Sequence, residues 1–164
     1  MESKLLKGGE EIVMGSEWSN AWILKGTYLH AREQFRRALK VSALEVCFES
    51  DLAAVVRSAT GVRLTRTCVL GVTCPFQMLE ALVCDREVSL FLPLHVVVSE
   101  DRECTHILTV SSTGVRKSGV TPMVAMPIHR TLVLLNQALE IAGATRVLPG
   151  VTAGPQGVAQ LQTG

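Results

Sequence analysis

The residues best equipped for chemistry lie in the stretch GVTCPFQMLEALVCD, residues 71–85. Cys74 stands directly before Pro75, and an apolar-periodic run follows. Proline suits the first position of a helix, because its missing N–H would have no intrahelical partner there. Cys74 is then the N-cap. A thiol at a helix N-terminus feels the positive end of the macrodipole, which favours the thiolate. The N–H groups of Phe76 and Gln77 are free to point at Cys74 or at a bound anion. The plainer reading makes Cys74 a small residue standing where Asn or Ser would cap. His95 falls on a later strand, with Leu94, Val96 and Val98 expected on one face and His95 and Val97 on the other. It is the candidate ligand or base beside the Cys74 turn. Thr73, Cys74, Phe76 and His95 thus form a candidate ligand-binding set. Arg66 joins it, because Arg57, Arg63 and Arg66 can together hold an anion, or else are ordinary solvated charges.

Other chemistry finds no support in the spacing. There is no CxxC, GxGxxG, phosphate-binding loop, HExxH or GxSxG. The cysteines (47, 68, 74, 84 and 104) are odd in number and lack paired spacing, so free thiols are expected. No metal set is assigned, and no motif names a cofactor. His106 lies on the strand after that of His95, and the sequence does not pair the two. Glu45 and Glu49 fall on one face of a strand, where solvent-facing alternation accounts for them.

These residues need elements to hold them. Asn20 to Thr27 reads as a first strand. From His30 to Leu44 a helical stripe of Ala31, Phe35, Ala38, Leu39 and Ser42 opposes Arg32, Glu33, Arg36, Arg37 and Lys40. LEVCFES alternates, with Leu44, Val46 and Phe48 on one side and Glu45, Cys47 and Glu49 on the other. Ser50 is expected to cap a short helix from Asp51 to about Ala59, with Gly61 past its end. A β-branched strand follows from Thr65 to Val72. The helix after Cys74 is expected to bury Phe76, Leu79, Leu82 and Val83. Asp85 to Pro93 reads as a connector. LPLHVVVSE and CTHILTVSS are strands joined by DRE in a polar hairpin. Gly114 to Pro122 reads as a loop, and Pro127 opens a last helix that ends at Gly143. Residues 1–19 read as a flexible arm, 20–143 as one domain and 144–164 as a disordered tail. Helices and strands mix without regular βαβ alternation. The fold class is therefore α+β, two layers, with helices on one face of a largely antiparallel sheet.

The run VLGVTCPFQMLEALVCDREVSLFLPLHVVVSEDRE resembles domain-of-unknown-function family 302. The matching residues are Gly71, Pro75, Ala81, Leu82, Asp85, Glu87, Val88, Leu90, Leu92, Pro93 and Val96 to Val98. The resemblance extends over about residues 20–143. It implies a small two-layer α+β fold, TATA-binding-protein-like in architecture only, and it carries no activity. The family pattern often has cysteines at the positions of Thr73 and Leu94. Here a cysteine and a histidine stand one place later, at Cys74 and His95.

Composition bounds the function. The chain of 164 residues is 48% hydrophobic and only 4% aromatic, so its core is aliphatic. A net charge of +1 and scattered aromatics argue against nucleic acid. No apolar run reaches the ~18–20 residues of a membrane span. With no signal core near the N-terminus, a cytoplasmic setting is expected. The leading expectation is a non-enzymatic ligand-binding or protein-interaction module, taking a small anionic or apolar ligand. A homodimer is expected from the surplus of apolar residues. The alternative is a thiol-dependent redox or metal/haem-binding protein using Cys74 with His95.

Overall fold

A computed structural model describes residues 16–147. The sheet has six strands: β1 (Ser19–Lys25), β2 (Glu45–Asp51), β3 (Thr67–Thr73), β4 (Leu94–Asp101), β5 (Cys104–Val110) and β6 (Thr145–Val147). Their order is β2-β3-β4-β5-β1-β6, and every neighbouring pair is antiparallel. The helices are α1 (Tyr28–Val41), α2 (Leu52–Thr60), α3 (Pro75–Cys84), α4 (Ser112–Lys117) and α5 (Pro122–Ile141), with a 3-10 turn over Arg86–Leu90. The expected two-layer α+β class is the observed one. The core forms where Leu70, Val72, Leu94, Val96, Val98 and Ile107 of the sheet meet Phe35 and Leu39 of α1 and Leu135 and Leu139 of α5. No helix among the described residues is long and apolar enough to cross a membrane.

Helix α1 follows its sequence closely. The Thr27 hydroxyl accepts from the His30 N–H, satisfying one of the unpaired donors of the first turn. Ala31, Phe35, Ala38 and Leu39 are buried as the stripe requires.

Strand β2 departs from its alternation. Val46 lies opposite Val72 but Phe48 opposite Gly71, so Cys47 is the extra residue of a β-bulge. A one-residue slip sends every later side chain to the other face. Phe48 therefore turns away from the core, 41% exposed, and its ring lies over Gly71. A Cβ at Gly71 would come within 2.2 Å of that ring. Glu49 turns the opposite way, toward α1, and pairs with Arg32 at 2.8 Å and with Arg36. Glu45 and Glu49 thus do not share a face.

Other boundaries differ for local reasons. Asp51, not Ser50, caps α2: its carboxylate accepts from the Ala54 N–H at 2.9 Å. Gly61 ends that helix with φ +76°, a conformation that suits a residue without a Cβ. The expected Gly114–Pro122 loop begins inside α4, capped by Ser111, whose hydroxyl accepts from the Gly114 N–H at 2.9 Å; residues 118–121 do form a loop between α4 and α5. Helix α5 opens at Pro122, and Pro127 sits inside it. The connector after Asp85 is the 3-10 turn, capped by the Asp85 carboxylate. Residues 145–147 pair with β1 and so belong to the sheet rather than to a tail; residues 1–15 and 148–164 lie outside the described residues.

Candidate functional site

Cys74 is the N-cap of α3 and Pro75 its first residue, as the sequence predicts. The thiol makes no capping hydrogen bond, however, and belongs to the buried core. Its expected partner is elsewhere. His95 lies opposite Gly71 on β4 and is exposed, while its neighbours Leu94 and Val96 are buried on the helix side. Cys74 is thus held in the core, and His95 faces out on the other side of the sheet. The Cys74–His95 arrangement needed for thiol or haem chemistry is not formed. His95 instead sits beside Phe48, with ring centroids 5.6 Å apart.

Thr73 is buried, and its hydroxyl has no hydrogen-bond partner. Phe76 is exposed on α3. Arg66 precedes the other end of β3, about 25 Å along the strand from Cys74 at a rise of ~3.3 Å per residue. It pairs with Glu100 at 3.8 Å. The five candidates therefore do not converge. Arg57, Arg63 and Arg66 do come together, around an open cleft of about 230 Å³ that Asp51 also lines.

His95 contributes to a different cleft. Where β4 begins and β5 ends, a space of about 290 Å³ opens between the 3-10 turn, α4 and the chain entering β1. Trp18, Phe91, Val110 and Val115 give it apolar walls, and His95 and Ser118 bring polar groups. Gly114 lets α4 approach closely, since a Cβ there would lie 2.8 Å from the Trp18 carbonyl oxygen. That same carbonyl accepts from the Ser111 N–H at 2.9 Å. The sequence reading missed Trp18 and Phe91, because the cleft is made by segments distant along the chain.

Helix α3 presents a second feature. Phe76, Leu79, Leu82 and Val83, expected to be buried, are 77, 64, 40 and 78% exposed. The covered side is centred on Ala81, which is 2% exposed. Helix α3 packs against α5, where Arg130 Nη1 donates to both carboxylate oxygens of Glu80, at 3.0 and 2.8 Å. The helix is apolar around most of its circumference, so periodicity alone does not say which side turns in.

Register also gathers residues that sequence spacing did not. Asp101 and Cys104 face each other across the two-residue turn Arg102–Glu103, and His106 lies two residues beyond Cys104. His106 Nε2 is 2.9 Å from Asp101 Oδ2 and 3.5 Å from Cys104 Sγ. Burial pushes the Cys104 thiol up, with help from the charges of Asp101 and Glu103. Burial likewise raises Cys68, which lies beside Tyr28 of α1.

Comparison with known proteins places the fold. The family model "Domain of unknown function DUF302" matches residues 23–139. A crystal structure described as an uncharacterized conserved protein DUF302 from Bacillus stearothermophilus is similar, with a TM-score of 0.69 at 17% identity. The match covers 77% of this chain and 99% of that one. The curated proteins yielded no match. With the family model spanning most of the chain and the same architecture in a solved relative, this chain belongs to the DUF302 family.

Proposed function

We propose that this DUF302 domain is a non-enzymatic binding module, and that its ligand is a small, largely apolar molecule held in the cleft between Trp18, Phe91 and His95. The observation that carries this reading is the cleft itself: two aromatic side chains and aliphatic walls, with one imidazole at hand to orient a polar group. Binding sites commonly combine an apolar lining with a few placed polar groups in this way, though this one is at the small end of their range. Titration with 8-anilinonaphthalene-1-sulfonate, an aromatic probe with one anionic group, tests it. Binding should perturb Trp18 fluorescence, and Phe91→Ala and His95→Ala should each weaken it. Phe76→Glu should leave it unchanged. Binding that ignores the first two substitutions and disappears with the third would place the dye on α3 and sink the cleft reading.

The outward stripe of α3 favours a second occupant, another copy of this chain. Four neighbouring aliphatic and aromatic side chains without a charge among them suit a self-complementary contact. Sedimentation velocity is the test: the parent chain should dimerise and Leu79→Glu should not. A parent that stays monomeric up to its solubility limit removes the proposal.

A further inference from the structure

We propose that the β4–β5 hairpin binds a divalent transition-metal ion of borderline softness, zinc being the type, through Asp101 Oδ2, Cys104 Sγ and His106 Nε2. These atoms all lie within 4.8 Å of one another. Ligands of a tetrahedral zinc, at about 2.0–2.3 Å from the ion, stand roughly 3.3–3.8 Å apart. The Cys104–His106 separation of 3.5 Å already has that span, and the Asp101–His106 contact of 2.9 Å must open only slightly.

The fold builds the site from a short stretch, DRECTH. A two-residue turn sets Asp101 directly opposite Cys104, where side chains of a paired strand position are close. His106, two residues on, projects from the same face. Two of the ligands are already oriented. Asp101 Oδ1 accepts from the Arg102 N–H at 2.8 Å, which leaves Oδ2 for the site. The His106 ring is only 4% exposed, so packing holds its direction. Its Nδ1 has no hydrogen-bond partner and is where the ring proton resides once Nε2 carries the ion. The Cys104 thiol proton leaves to solvent on binding, one per ion.

Imidazole, thiolate and carboxylate together suit zinc rather than calcium or magnesium, which prefer oxygen alone. Asp101 and Cys104 are half-buried, so a fourth position is reachable from solvent. Glu103 adds negative charge from the turn. The opposing charges are Arg102 in the turn and Lys25 on β1, paired opposite Cys104, and both of these residues are exposed. The site lies at the far end of β4 and β5 from the His95 cleft and does not rest on the ligand reading.

Cobalt(II) titration of the full chain, followed by absorption, tests it. One equivalent should bind with a thiolate-to-cobalt charge-transfer band, and zinc should displace it. Cys104→Ser should abolish the band, and Asp101→Asn should weaken affinity at least about tenfold. Both positions are partly exposed, so both variants should keep the parent's circular dichroism. Cys47→Ser combined with Cys84→Ser removes the exposed thiols and should leave the band intact. A band that survives Cys104→Ser, a band lost in the double variant, or no saturable uptake of one equivalent would each overturn the proposal.

Discussion

Helices α1 and α3 are both apolar-periodic, yet they use their apolar residues in opposite ways. In α1 the stripe of Ala31, Phe35, Ala38 and Leu39 is buried, and the opposite side is charged. In α3 Phe76, Leu79, Leu82 and Val83 face out, while Ala81 faces in and Met78 packs partly against the core. The difference lies in what stands opposite the stripe. Arg32, Glu33, Arg36, Arg37 and Lys40 cannot be buried unpaired, so α1 has one way to lie. Helix α3 carries a single charge, Glu80, and one other polar residue, Gln77, in an otherwise apolar ring, so its orientation is decided by close approach to its neighbours. The exposed stripe that results is the surface proposed above for a second copy of the chain.

The contrast can be attacked from several directions. The largest effect is expected in thiol labelling of the native protein. Cys68, buried beside α1, should react only through unfolding, whereas exposed Cys84 at the end of α3 should react freely. A rate ratio on the order of 10³ or more is expected from the scale of folding equilibria. Comparable rates would mean that the layer over Cys68 opens locally.

Next comes Phe35→Ala, which empties a fully buried site in α1 and should cost about 3–5 kcal/mol by denaturant unfolding. Leu79→Ala, a smaller truncation on the outward side of α3, should be nearly silent in the monomer. Equal losses at the two positions would erase the distinction between the helices.

Ala81→Leu should cost about 1–3 kcal/mol, since overfilling a closely packed contact displaces its neighbours. A stabilised variant would show that α3 packs loosely instead. Glu49→Gln removes the partner of Arg32 and Arg36 at the polar margin of α1. The groups are partly exposed, so the loss should be only about 0.5–1 kcal/mol and should shrink in high salt. A larger, salt-independent loss would point to a packing role for the glutamate. Smallest of all, Phe76→Glu should leave monomer stability within ~0.5 kcal/mol of the parent. A marked loss would mean that the α3 stripe is covered within the chain.

The class of fold was legible because strong alternation and strong amphipathicity leave few arrangements, as Ala31 through Leu39 and the Val96–Val98 strand illustrate. What the sequence hid was decided by contacts made at a distance. LEVCFES alternates without a fault, and nothing in it announces that Cys47 bulges so that Phe48 can cover Gly71. Gly114 reads as a loop residue, but its role is to admit the Trp18 carbonyl beside α4. The three residues of β6 are too few to register as a strand until β1 is beside them. Candidate site residues fared less well, because spacing along the chain does not say which side of a sheet a residue joins. Cys74 and His95 separated for that reason. Asp101, Cys104 and His106 came together because the hairpin closes on Arg102 and Glu103, which sets Asp101 opposite Cys104.

The position of β1 between β5 and β6 has a consequence for the order of events during synthesis. Among the described residues Ser19–Lys25 is the first strand to be made, and both of its neighbours come much later along the chain: Cys104–Val110 and Thr145–Val147. At about 5–20 residues per second, the ribosome leaves β1 without its partners for on the order of several seconds. During that interval Trp22 and Leu24, destined for the core, have no strand beside them. Contacts so widely separated along the chain slow folding, because a long loop must close before the pairing is gained. The β2-β3-β4 meander, joined by shorter connections, forms without β1; β5 then pairs with β4, and it is the free edge of β5 on which the oldest strand finally docks.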